Sequence, residues 1–341
     1  MRLIKSLAGV DGGPMSPTPT TAGERYVLGP QRPTPNVGLA LGPADQPGHV
    51  VLISAGWRYD EDEGPRILRA MGYEVVHLPL YAWFDEVSLT ASSLDATYRA
   101  RQSRILEFKQ LYKVRLKHAL DAVESVRAQI DIDLRLLKPE LDHALSQVRA
   151  LDERYLEGVS SILETFRDVA RPWELPQVQP YHMKAAAALR DARAVLVAGG
   201  HVGVLRNRLL FFGFEELLRA AWLNGVNLVG WSAGAMALSE RVVLFYDDPP
   251  EGPAYPELFD RGLGLLPNAV FLPHARRRLR LNDPARVALL ASRFAPTACI
   301  GMECGAGLVW RGGRWHNIGD PNHVLRLGTD GQVGPLGVAG A

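Results

Sequence analysis

Asn227-Leu-Val-Gly230-Trp-Ser232-Ala-Gly234-Ala-Met236 puts an apolar run, a serine flanked by glycines and a helix-compatible stretch in direct succession. Few folds accept that order. A strand must enter a tight turn and leave as a helix, which lifts the serine oxygen to the top of a sheet as a candidate nucleophile. The glycines follow from the geometry. The turn is strained, a side chain beside the serine would block an approaching carbonyl, and the N–H of Ala233 must face the developing oxyanion. Such pentapeptides also occur in ordinary loops; here the strand before and the helix after favour the nucleophile.

The rest of the chain supplies a sheet for that turn. His49–Ser54 reads as a short buried strand, Gly64–Met71 as a helix and Tyr73–Leu78 as a second strand, a parallel strand–helix–strand unit. After a helix near Ala185 comes the strand Ala194–Ala198, then Gly199-Gly200-His201, then a helix over Val204–Asn224 leading to the serine strand. Further strands are expected at Arg241–Tyr246, Ala269–Leu272, Ala298–Met302, Gly307–Trp310 and Arg314–Asn317, and a helix at Pro284–Phe294. Gly312-Gly313 suits a hairpin turn. Residues 1–48, rich in Pro, Gly and Thr, read as an extended or partly disordered lead-in with one short strand at Val37–Leu41.

Between these parts the texture changes. No glycine occurs between Gly72 and Gly158, and apolar residues step by 3, 4 or 7 from Leu94 to Leu137 and again from Leu141 to Val169. That spacing predicts two long amphipathic helices with a coiled-coil-like seam, joined near Lys138-Pro139. The domain reading is therefore a lead-in (1–48), an α/β domain in two pieces (49–90 and 181–341) and an inserted antiparallel helical hairpin (91–180). The hairpin either packs on its own domain or offers a surface for a homodimer or another protein.

A serine nucleophile needs a base and a group that orients the base. Asp247 and Asp248 follow the strand ending at Tyr246, and His274 ends the strand Ala269–Leu272. If these strands are parallel, all three residues share one edge of the sheet, where open α/β folds place their sites. Gly199 and Gly200 can add backbone N–H groups beside that of Ala233. Among the arginines Arg276, Arg277, Arg278 and Arg280, any one could hold a carboxylate through its planar fork.

Taken together, strand-Gly-Gly, a helical stretch, Gly-Trp-Ser-Ala-Gly-Ala, an acid fifteen residues on and Pro-His followed by arginines resemble the dipeptidase E/cyanophycinase family of serine peptidases. The resemblance covers roughly residues 49–90 and 185–320. It implies a mostly parallel α/β sheet flanked by helices, of the class I glutamine amidotransferase-like type. It also implies a triad of Ser232, His274 and Asp247, with Asp248 as the rival acid and Gly200 and Ala233 as oxyanion donors. Gly199, His201, Glu303, Arg276 and Arg278 are then candidates for substrate binding, Glu303 alternatively supporting His274. The sequence departs from the family pattern at His201, at His274-Ala275 and in the helical hairpin.

The expected activity is hydrolysis of a peptide or isopeptide bond, plausibly next to an aspartyl residue, through an acyl-enzyme and with no cofactor or metal. A catalytically weak or inactive member that binds through the helical arm is the main alternative, and an α/β-hydrolase esterase a more distant one. A net charge of +1 gives no electrostatic argument for a nucleic-acid partner. No stretch approaches the roughly 18 apolar residues of a membrane span, so the expected location is cytoplasmic. Cys299 and Cys304 form no disulfide framework and read as two small buried residues.

Overall fold

A computed structural model describes residues 21–30, 37–247 and 254–336. In chain order, β1 (Arg25–Leu28) and α1 (Val37–Leu41) precede the unit β2 (His49–Ile53), α2 (Glu63–Ala70), β3 (Val75–Leu78) and α3 (Leu80–Thr90). The hairpin helices α4 (Ser92–Arg127) and α5 (Leu134–Ala170) follow, then α6 (Gln179–Arg190), β4 (Ala192–Val197), α7 (Val202–Phe211), α8 (Phe214–Leu223), β5 (Asn227–Trp231) and α9 (Ala233–Leu238). The last part runs β6 (Arg241–Leu244), β7 (Glu257–Arg261), β8 (Ala269–Pro273), α10 (Ala275–Arg278), α11 (Pro284–Phe294), β9 (Ala298–Met302), β10 (Gly307–Arg311), β11 (Arg314–Asn317), β12 (Val324–Leu327) and β13 (Val333–Pro335).

The main sheet has seven strands in the order β11-β10-β1-β5-β4-β2-β3. From β1 to β3 every pairing is parallel, while β10 and β11 add an antiparallel edge. Burial on both faces explains why β2 and β4 read as unbroken apolar runs. The chain is thus α/β with a mostly parallel sheet, as expected. A second sheet, β13-β12-β9-β8, and a ribbon, β6-β7, complete the frame. No helix among the described residues is long and apolar enough to cross a membrane.

Several local expectations are corrected. Val37–Leu41 is a helix, and the strand of that segment is β1, in the interior of the main sheet. Its three apolar residues were masked by the surrounding Pro, Gly and Thr. The helix read as Val204–Asn224 is two, broken where Gly213 takes a left-handed φ of 71°. The hairpin turns at 128–133, ahead of Lys138-Pro139. Asp133 caps α5 by accepting the Arg135 N–H at 2.8 Å, so the helix starts before the proline and absorbs it. Cys299 is buried, but Cys304 is exposed.

The hairpin packs on its own domain. Its seam (Tyr112, Leu120, Val148, Tyr155, Val159 and Phe166) belongs to the same apolar cluster as Val197 and Leu228 of the main sheet. Polar contacts lock it to the β6–β7 ribbon and to α11. The Tyr155 hydroxyl donates to Phe259 O at 3.0 Å, Lys109 meets Glu257 at 2.7 Å, and Arg293 forks onto Asp152 with both contacts at 2.7 Å.

Candidate active site

β5 delivers Ser232 to the turn before α9. Its backbone sits at φ 54° and ψ −117°, a region that costs a non-glycine residue roughly 1–3 kcal/mol. Close packing holds the chain there. A Cβ on Gly234 would lie 1.9 Å from Val197 O, and one on Gly230 would lie 2.7 Å from the Ala235 Cα. A Cβ on Gly199 would sit 3.0 Å from both Ala233 N and the Ser232 Cβ. The glycines of the motif therefore let β5, α9 and the end of β4 touch backbone to backbone. The Ser232 N–H donates to Leu28 O at 2.9 Å, so β1 anchors the amide of the candidate nucleophile.

On the β4 side, Gly200 has φ 95°, and the His201 N–H donates to Gly56 O at 2.8 Å. His201 caps α7, its Nδ1 accepting the Val204 N–H at 3.2 Å. Burial first, then the charge of Arg58, holds the His201 imidazole below its ordinary pKa.

Ser232 opens into a cleft of about 280 Å³. Gly200, His201 and Ala233 line it beside Ser232, Phe259 and Tyr246 come from the ribbon and the chain after it, and Pro273 and Arg278 close the far side. The hairpin therefore stands behind one wall of this cleft, since it grips the strand that carries Phe259. Arg278 is half-buried, its guanidinium 4.7 Å from the Tyr246 ring. It has no carboxylate partner among the described residues, and burial pulls its pKa down.

His274 lies between the two far-side residues, at the end of β8 and the start of α10, with φ 60°. Its N–H donates to Met302 O at 2.8 Å. Burial, then Arg278 and Arg277, lowers the imidazole's pKa, favouring the neutral form that can accept a proton. The imidazole and the Ser232 hydroxyl are not hydrogen-bonded to each other or to any other described side chain.

The expected common sheet edge is not what brings these residues together. Ser232, Asp247 and His274 follow strands of three different sheets. Asp247 is buried with both oxygens committed elsewhere: Oδ2 accepts the Arg280 N–H at 2.7 Å and Oδ1 accepts from Arg286 at 2.8 Å. No hydrogen bond or ion pair links it to His274, so the triad role expected of it is not supported by its placement. Its N–H also holds Arg278 O at 2.9 Å, and the residue acts as a clamp on the segment that presents Arg278. Asp248 lies outside the described residues.

Glu303 is placed beside His274 by the parallel β8–β9 register, which pairs Pro273 with Met302. Its Oε1 accepts the Arg276 N–H at 2.8 Å, fastening the first turn of α10. Arg276 points away from the cleft, donating to Asn322 O at 3.3 Å.

A different serine, unmarked in the sequence reading, does touch a histidine and an acid. Ser54 Oγ lies 2.9 Å from His77 Nε2, and His77 Nδ1 lies 3.8 Å from Asp62. Ser54 is fully buried, so no substrate carbonyl can reach it. Contact geometry alone would select this serine; the exposed cleft and the strained turn select Ser232.

The model of peptidase family S51 matches residues 146–318, half of the chain. No curated protein matches the sequence. Among solved structures, the chain is similar to a peptidase from an acI-B1 Actinobacterium, with 16% identity and a TM-score of 0.48, covering 93% of this chain and 98% of that one. It is also similar to a putative peptidase E protein from Listeria monocytogenes EGD-e, with 11% identity and a TM-score of 0.43, covering 87% of this chain and 98% of that one.

Proposed function

The chain belongs to peptidase family S51, a family of serine peptidases, and on that premise we propose that Ser232 attacks the carbonyl of a peptide or isopeptide bond flanked by a substrate carboxylate. The observation that carries this reading is the strained backbone of Ser232 at the mouth of an open cleft, with Gly200 and Ala233 beside it.

In the proposed mechanism Ser232 Oγ adds to the carbonyl as His274 takes its proton. The N–H groups of Gly200 and Ala233 hold the oxyanion. His274 returns the proton to the leaving amine, and water then hydrolyses the acyl-enzyme by the same path. The Ser232–His274 hydrogen bond forms when substrate fills the cleft, since catalytic hydrogen bonds commonly tighten only in the complex. Glu303, next to His274 by register, takes the supporting role in place of Asp247. Arg278, unpaired and half-buried in the cleft, binds the substrate carboxylate, which favours an aspartyl or an α-carboxylate group.

The test is labelling by a serine-reactive fluorophosphonate, with wild type compared with Ser232→Ala. Labelling of wild type alone is expected; equal labelling of both proteins overturns the nucleophile assignment. A second reading, a member that binds without turnover, is favoured by the missing Ser232–His274 hydrogen bond. It predicts peptide binding with no labelling and no product, and a panel of Asp-containing dipeptides separates the two. Arg278→Met should raise KM for those dipeptides at least tenfold with a smaller change in kcat.

A further inference from the structure

A second cavity, of about 190 Å³, lies where α4 and α5 meet α7, α8 and the end of β7. It is reached along α7. Val202 and Gly203 line the Ser232 cleft, whereas Arg206 and Leu210, one to two turns farther on, line this pocket. Glu164, exposed, and Glu215 are among its lining residues, and four arginines face it: Arg101, Arg167, Arg206 and Arg261. Three are neutralised. Arg206 pairs with Asp260 at 2.6 Å, Arg167 with Glu215 at 3.6 Å and Arg261 with Glu153 at 3.2 Å.

Arg101 is not. It is only 5% exposed, and no carboxylate among the described residues lies within ion-pair range. One Nη donates to the Gln102 side chain at 3.2 Å, while Nε is buried with no partner. The rings of Tyr98 and Phe166, 4.2 and 4.7 Å from the guanidinium carbon, offset part of the cost. Burial outweighs them and pulls the pKa down to about 10. The guanidinium still keeps its charge at neutral pH, and although Asp260 acts on it at longer range, no carboxylate sits close enough to offset its burial in full. Ser160 also lines the pocket, and its hydroxyl makes no hydrogen bond among the described residues.

We infer that this pocket binds a compact oxyanion, a carboxylate or phosphate group on a small molecule, through the Arg101 guanidinium and the Ser160 hydroxyl. The lining suits such a group: a planar guanidinium fork, a neutral hydroxyl donor, and flanking arginines already held in place by their own partners. The site is separate from the Ser232 cleft and takes no part in the proposed hydrolysis.

Calorimetric titration of the full chain with inorganic phosphate and with succinate, at matched ionic strength, tests this. Saturable binding of one or both probes by wild type is expected, and which probe binds tells a phosphate site from a carboxylate site. Arg101→Met keeps the contacts with Tyr98 and Phe166 but removes the charge, and should weaken binding at least tenfold. In anion-free buffer that variant should melt no lower than wild type, because a buried charge without an ion-pair partner has gone. Arg101→Lys, with the charge but not the fork, should fall between them and serves if the methionine variant fails to fold. Absence of saturable binding of either probe at millimolar concentration, or equal affinity in wild type and the Arg101 variants, overturns the proposal.

Discussion

Ser232 and Arg58 share a backbone conformation that side chains rarely adopt, φ 54° with ψ −117° and φ 58° with ψ −121°. At Ser232 the strain fits the proposed role, because the turn after β5 sets the residue at the mouth of the cleft. Replacing the serine by glycine keeps the turn and removes the strain, so Ser232→Gly should abolish turnover yet gain about 1 kcal/mol in urea denaturation. A loss of stability instead would mean that the serine is not strained. His274 makes a pH prediction. Its lowered pKa keeps the proposed base neutral to lower pH, so the acid limb of kcat/KM should lie below the ordinary imidazole value near 6.5. Arg277→Gln removes one of the causes and should move that limb to higher pH. The candidate nucleophile was legible because its signal is local, ten consecutive residues that only one kind of turn accommodates. The acid was not. Whether Asp247 meets His274 depends on which sheet each strand joins, and the arginines that claim Asp247 lie more than thirty residues away along the chain.

The long helices illustrate what periodicity can and cannot show. The 3- and 4-residue steps report a buried face, so α4 and α5 were readable. The turn between them was not, because a proline ordinarily ends a helix, whereas packing against α4 carries α5 through Pro139 and an aspartate six residues earlier sets its start. Nor does periodicity say what a helix packs against. Tyr112, Asp152 and Arg293 join α4, α5 and α11 in one buried network, with Tyr112 donating to Asp152 at 2.8 Å. Asp152→Asn leaves the Arg293 charge buried without its counter-ion and should cost about 3 kcal/mol or more by chemical denaturation. Because the same helices back the strand bearing Phe259, the variant should also raise KM.

Across the whole molecule, the boundaries expected at 91 and 180 mark a change of texture rather than a seam in the core. The hairpin and the main sheet share one apolar cluster, so excising residues 92–170 should yield an insoluble or molten product. Replacing only the turn at 128–133, where Ile130 is 86% exposed, should leave the melting temperature within a few degrees of wild type. A soluble, cooperatively folded deletion variant would show instead that the α/β part stands alone. The parallel sheet was foreseeable from apolar runs between helices; its division into three sheets was not, since strands such as β7 and β12 mix polar and apolar residues and carry no distinctive run.

The position of β1 has a consequence for how the protein is made. Leu28 holds the Ser232 amide on one side and pairs with Gly307 on the other, while the strand of His274 acquires its parallel partner only when residues 298–302 arrive. A ribosome releases these pieces in sequence order, so the first strand waits through most of elongation for its antiparallel neighbour. The proposed hydrolytic centre is therefore expected to assemble only near the end of synthesis, and a growing chain, itself rich in peptide bonds, would carry no working copy of it. Stalled nascent chains ending near residue 290 should not react with the fluorophosphonate, whereas the released chain should.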